Sequence, residues 1–246
     1  MVTMNKLKIF FRPDRGDFVF KSFTSLHKII LLIGLLGAAF IFKNRESLGR
    51  TWLKKILLAS LLIQQFSLYA WYIFSGSFSL AESLPFYNCR IAILSLALGL
   101  ILNRKSLKTI GLYWGLMGSV VALLLPDLDP FGYNHYTFYS FFLGHLGLLW
   151  TSLYLILVED MDPSRSSLGF ILIFSSIYHI LILGFNRYFS TNYCYLVESP
   201  IFGASLGKLP ANIYAFLIIG LFNLNLVLVH FILVRLRAWA GSAKEQ

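Results

Sequence analysis

The sequence predicts an all-α fold, a polytopic transmembrane helical bundle of seven spans, with six as the smaller count. Three observations carry this. Of 246 residues, 57% are hydrophobic and only 13% charged, with a mean hydropathy of +0.71, whereas a soluble domain carries about 25% charged residues. Uncharged apolar stretches long enough to cross about 30 Å of hydrocarbon recur along the chain. These stretches lack strand alternation, and a helix satisfies its own backbone polar groups in lipid.

Taken in order, the chain opens with a tail, residues 1–21, whose aromatic and basic run "KIFFRPDRGDFVFK" reads as an interfacial or solvated segment and not as a removable signal peptide. The spans follow at roughly 22–42, 54–74, 84–102, 108–125, 137–158, 167–187 and 209–234. The first is the shortest in charge-free length, Ile29 to Phe42, and reaches a full span only by starting near Phe23. No repeat, linker or shift in composition marks a second domain, so residues 1–246 form one membrane domain. In the fifth span Ser140, Gly144, Gly147 and Thr151 make a small-residue stripe for close helix approach. The polar segment from Asn186 to Leu209, broken by Pro200, Gly203 and Gly207, reads as an external or re-entrant loop.

The net charge of +10 sits in short loops, a pattern that points away from nucleic acid. "KNRESLGRTWLKK" holds five Lys or Arg, "NRKSLK" three and the C-terminal "RLRAWAGSAKEQ" three, while Ser75 to Tyr87 and Pro126 to Tyr136 hold none. By the positive-inside rule the first three face the cytoplasm and the last two the outside. Seven spans then put the N-terminus outside and the C-terminus in the cytoplasm of a cell membrane, although the tail itself carries Lys6, Lys8, Arg12, Arg15 and Lys21.

Ionisable and amide side chains inside a membrane are costly and mark sites. Cys89, at the head of the third span, falls about one turn in, on the order of 6 Å at 1.5 Å per residue. His145 falls roughly 12 Å into the fifth span by the same rise, so the two can share a depth in the outer leaflet. His179 sits deeper in the sixth span, with Asn186 and Arg187 near its external end. Cysteine beside histidine is the minimal pair for acyl transfer, since imidazole takes the thiol proton and returns it to a leaving alcohol. The plainer readings are a packed, inert Cys89, a His145 bonded to a neighbouring helix, and an Arg90 that snorkels to the interface or binds a phosphate. A Cys89–Cys194 disulfide is chemically allowed if both face the outside. Gln64, Gln65, Asn223 and Asn225 read as interhelical hydrogen-bonding pairs, and Asp127 and Asp129 as turn caps sooner than metal ligands. No metal site or nucleotide motif is present.

The order of "FTSLHKIILL", "QQFSLYAWYIFSGSFSLAESLPFYNCRIAILSLAL", "LLPDLD", "FYSFFLGHLGLLW" and "GFNRYFSTNYCYL" resembles the YwaF family of bacterial membrane proteins, related to the eukaryotic transmembrane protein 164 family. The resemblance runs from about Phe23 to Val234. It implies a lipid acyltransferase of the bacterial cytoplasmic membrane, with Cys89 as nucleophile, His145 as its base, and Asn186, Asn192 and Tyr193 as orienting or substrate-binding residues. The partners implied are membrane lipids as acyl donor and acceptor, with no soluble cofactor. Where the family has a Lys before a proline, this chain has Ser199 before Pro200. A transporter or lipid-binding bundle with a polar intramembrane site is the competing expectation.

Overall fold

Thr24 sets the start of the first long helix: its hydroxyl accepts the His27 amide, satisfying one of the donors that a helix start leaves open. Ser164 caps a later helix in the same way through the Ser167 amide. Between such starts and the loops that end them, the apolar runs become helices. A computed structural model describes residues 2–47, 50–199 and 206–242. Among them the order is α1 (Val2–Phe10), α2 (Ser25–Lys43), α3 (Arg50–Phe74), α4 (Asn88–Leu102), α5 (Lys105–Leu124), α6 (Tyr136–Leu157), α7 (Arg165–Phe189), a 3-10 turn (Tyr193–Tyr195) and α8 (Ala211–Ser242). Six helices are long and apolar enough to cross a membrane, namely α2, α3, α5, α6, α7 and α8. Helix α4, at 15 residues, completes the expected seven and spans about 22 Å at 1.5 Å per residue.

The expected spans recur in place with shifted boundaries: α3 starts at Arg50, four residues before the expected 54, and α8 runs on to Ser242, eight residues past the expected 234. The third begins at Asn88 and not near residue 84, because Glu82 and Leu84 turn their carbonyls to the Arg90 guanidinium, at 2.7 and 3.0 Å, instead of to a helical amide. Asn103, in the left-handed region at φ 51°, and Arg104 then return the chain at once into α5.

Close approach is built on small residues. Gly111, Gly115 and Gly118 run along one side of α5, where an added Cβ would meet Leu96, then Ser152 and Leu148, then Cys89. The α6 stripe faces α3: Gln64 donates to Ser140 at 3.0 Å, and Gly144 and Gly147 lie against Gln64 and Leu61. Trp150 donates to the Gly34 carbonyl of α2 at 3.1 Å. Leu61, Leu96, Leu112, Trp114, Leu148 and Tyr154 are wholly enclosed at the centre, while α2, α3, α7 and α8 turn Leu, Ile and Phe outward. That distribution suits a bundle solvated by lipid. The amide pairings hold in part: Asn223 donates to Ser176 at 3.0 Å, but Asn225 bonds only the Leu221 carbonyl of its own helix, and the buried Gln65 side chain has no hydrogen-bond partner. The physical reason is rotational position, since Asn225 falls on an exposed face of α8.

Ion pairs tie the basic end together. Lys108 meets Glu159 at 2.5 Å and Asn103 at 2.8 Å, and Arg237 pairs with Asp160 and Asp162. At the opposite end the N-terminal tail packs on the loops that lack Lys and Arg. The Gly16 amide donates to Pro130 at 2.9 Å, Trp71 to the Phe11 carbonyl at 3.2 Å, and Phe11 stacks on Tyr136. The tail therefore shares a face with both charge-poor loops.

His135 joins tail to bundle. Its Nε2–H donates to the Arg12 carbonyl at 2.9 Å, while Nδ1 accepts the Thr137 amide at 3.2 Å as the α6 cap. Burial lowers its pKa from the usual 6.5, because a protonated ring loses solvation and turns Nδ1 into a donor against an amide. The neutral form belongs to the folded state, so its contribution is complete above pH 6.5 and is lost as pH falls through the lower folded value. Melting temperature in detergent should fall between pH 7 and 5, and His135→Asn, which keeps a capping acceptor, should flatten that slope.

Candidate functional site

The site is organised by the loop before α4. Arg90, in the first turn of α4, donates to the Glu82 and Leu84 carbonyls and, at 2.8 Å, to the Tyr72 hydroxyl of α3. Its guanidinium also lies over the Tyr72 and Tyr87 rings. Arg90 thus staples the loop to α3 and is directed away from the sulfur of its neighbour, as the 100° offset between adjacent helical residues requires.

Cys89 is the second residue of α4, not one turn in. It is nevertheless sunken, because α4 itself begins low. An added Cβ at Gly118 would stand 2.7 Å from its sulfur, and Gly118 is six residues, about 9 Å, short of the α5 end at Leu124. The thiol is free and half-buried, and among the described residues it has no hydrogen-bond partner. His145, nine residues or roughly 13 Å into α6, is within about one turn of that level. Its Nδ1 lies 2.7 Å from the Phe141 carbonyl, and since a carbonyl only accepts, Nδ1 carries the hydrogen and Nε2 is left with its lone pair. No hydrogen bond joins Cys89 to His145 among the described residues.

A second histidine is drawn into contact with the head of α4. His179 is sandwiched between Trp114 and Phe222, 5.6 and 4.6 Å between ring centres. Its Nε2 meets Asn88 Oδ1 at 3.1 Å and its Nδ1 meets Ser175 at 3.2 Å. The Cys194 thiol shares that same Asn88 oxygen at 3.0 Å and the Phe86 carbonyl at 3.1 Å. Both cysteines are free thiols, so the disulfide is not formed; Cys194 is turned onto Asn88 by a backbone in the left-handed region, φ 57°. Asn88 was not among the residues the sequence singled out, and its signal is only an amide immediately before the cysteine at the start of an apolar run.

The third motif builds the loop that covers this ground. Asn186, 1% exposed, donates to the Tyr193 carbonyl at 2.8 Å and accepts from the Tyr193 amide and the Thr191 hydroxyl. Tyr193, enclosed by Phe86, Tyr87 and Phe185, accepts the Leu84 amide at 3.0 Å and donates to the Leu80 carbonyl at 2.7 Å. Asn192 closes the next turn through Glu198 and Val197, and Arg187 bonds Asn212 at 2.6 Å. Ser199 is described, but Pro200 and Gly203, on which the re-entrant expectation rests, lie outside the described residues. Asn186→Ala should cost roughly 2–3 kcal/mol by stranding the Tyr193 groups it serves. The checks are melting temperature and faster alkylation of the otherwise enclosed Cys194.

Beyond the Arg90–Tyr72 staple a cleft of about 420 Å³ opens on the same face, lined by Arg15, Trp71, Tyr72, Glu82, Asp129 and Phe131 among others. Asp127 accepts the Tyr195 hydroxyl at 2.8 Å, tying the loop before α6 to the 3-10 turn. No group of three metal-ligating side chains occurs among the described residues.

The chain matches the model of the TMEM164 family over residues 18–234. No curated protein and no solved structure matches it significantly.

Proposed function

The chain belongs to the TMEM164 family of membrane proteins, and on that premise we propose that it is a membrane-embedded lipid transacylase working through Cys89. The observation that carries the reading is the Cys89 thiol: unpartnered, sunken among apolar side chains, and set in the first turn of α4, where amides lack intrahelical acceptors. A thiol about 9 Å below a helix end lies near the depth of glycerol esters, and scarce water there favours transfer over hydrolysis.

In this mechanism His145 Nε2 takes the Cys89 proton, directly after a turn of the ring or through one water, and the thiolate attacks the ester carbonyl of a membrane lipid. The imidazolium protonates the departing alcohol, leaving an acyl thioester on Cys89. A second lipid bearing a free hydroxyl gives its proton to His145 and attacks the thioester carbonyl; the C–S bond breaks, and the Cys89 thiolate leaves and takes the proton back from the imidazolium. The polar heads of donor and acceptor face the loop end, toward the Tyr72 cleft. Charge distribution supports placing that end outside, with the site in the outer leaflet of a bacterial cytoplasmic membrane and the C-terminus in the cytoplasm.

Intact-protein mass spectrometry of the protein in phospholipid vesicles should show one fatty-acyl adduct, located on Cys89 and released by hydroxylamine. Its absence under turnover would sink the reading and favour a lipid-binding or transport bundle.

A further inference from the structure

Resting on the acyl-transfer reading, we propose that Asn88 is a further catalytic residue, its side-chain amide supplying the oxyanion hole for attack by Cys89. Asn88 is 8% exposed and its Nδ2 is buried with no hydrogen-bond partner among the described residues. Such orphaned donors are uncommon in folded proteins and call for an explanation. The orientation of the amide is fixed from its other end. Oδ1 accepts the His179 Nε2–H at 3.1 Å and shares the single Cys194 S–H, 3.0 Å away, with the Phe86 carbonyl at 3.1 Å, so the donors lie on the oxygen side and the NH₂ group points to neither.

The backbone adds a second donor beside it. Arg90 and Ile91 give their amides to the Tyr87 carbonyl, at 2.9 and 3.1 Å, which leaves the Asn88 and Cys89 amides as the ones no helical carbonyl can reach. One unengaged side-chain amide, one residue before the nucleophile, and the open end of its helix are therefore free to serve a ligand at the head of α4. An oxygen that gains charge only as the sulfur adds is the acceptor such a pair is suited to.

The thiolate pair forms the S–C bond to the ester carbonyl carbon, and the C=O π pair moves onto oxygen, where Asn88 Nδ2–H and the Cys89 N–H donate to it. The pair then returns to restore C=O as the C–O bond to the lipid alcohol breaks, and the alkoxide leaves with the proton from His145. His179 and Cys194 do not touch the reacting atoms; they are positioning residues that hold the Asn88 rotamer.

The test compares two reactions of the same thiol in the full chain, reconstituted in phospholipid vesicles. Acylation passes through an oxyanion, whereas alkylation by iodoacetamide does not. Asn88→Ala and Asn88→Leu should slow single-turnover acylation on the order of 100-fold, the loss typical of one oxyanion donor, with the lipid concentration at half-saturation and the alkylation rate of Cys89 unchanged. His179→Phe should lower acylation less, again with alkylation retained. Unchanged acylation in both Asn88 variants overturns the proposal, as does a parallel fall in acylation and alkylation, which would mark a structural role. A wild-type protein that forms no acyl adduct removes the transacylase reading itself, and this inference with it.

Discussion

Cys89→Ala is expected to abolish acyl transfer while leaving the helical bundle folded. The side chain is a small one at the edge of the main apolar core and holds no hydrogen bond among the described residues, so alanine keeps most of its packing, whereas the chemistry has no other thiol to use. Cys194 is already engaged by Asn88 and Phe86, and Cys194→Ala should retain most of the transfer. His145→Ala should lower acylation by roughly 10² to 10⁴, the range for losing a general base, with alkylation of Cys89 by a neutral reagent recovering as pH rises. His145→Gln, which keeps a donor toward Phe141 but no basic nitrogen, should be as slow as the alanine variant. Lipid extracts from cells with and without each variant provide the measurement. Full transfer by Cys89→Ala, or by His145→Gln, would contradict the assigned role of the residue concerned.

Gly111→Ala should be a damaging single-methyl change. Its Cβ would stand 2.5 Å from Leu96 Cγ and 3.0 Å from the Leu96 backbone nitrogen, with Leu96 wholly enclosed. The neighbouring backbone cannot yield without moving α4 off α5, so a loss of about 1–3 kcal/mol is expected, and Gly111→Val should lose more. Gly118→Ala differs in kind, because the only atom it meets is the Cys89 sulfur, at 2.7 Å. It should leave the melting temperature nearly unchanged and depress both alkylation and acylation of Cys89. Gly184, with nothing within 4 Å of an added Cβ, is the control, where alanine should be neutral or slightly stabilising through helix propensity. Thermal unfolding in detergent separates the three.

Hydropathy made the seven helices legible because crossing hydrocarbon is a demand on each segment alone. The small-residue stripe of α6 was legible for a similar reason: spacing along one helix fixes its face. The head of α4 was not. Residues 84–102 read as one apolar run, and only the carbonyls claimed by Arg90 and the amide claimed by Tyr193 end the helix at Asn88. Asn88 stayed hidden because its partners come from α7 and from the turn at Cys194, about 100 residues away in the chain. Arg90 looked like a group reaching for lipid because a sequence shows its charge but not the loop carbonyls that meet it. The third motif was visible as a pattern, while its hydrogen bonds, most of them within the loop and to the segment before α4, emerge only in the fold.

Helix α4 is about 22 Å long, against roughly 30 Å of hydrocarbon in a typical bilayer. A short span facing lipid imposes hydrophobic mismatch, which the bilayer relieves by thinning. Helix α4 is exposed only at Leu98, Ile101 and Leu102, at the end away from Cys89, so the missing length at its head is made up by the folded loop before it and the 3-10 turn. The level of Cys89 is therefore fixed by protein packing and not by the thickness of the bilayer.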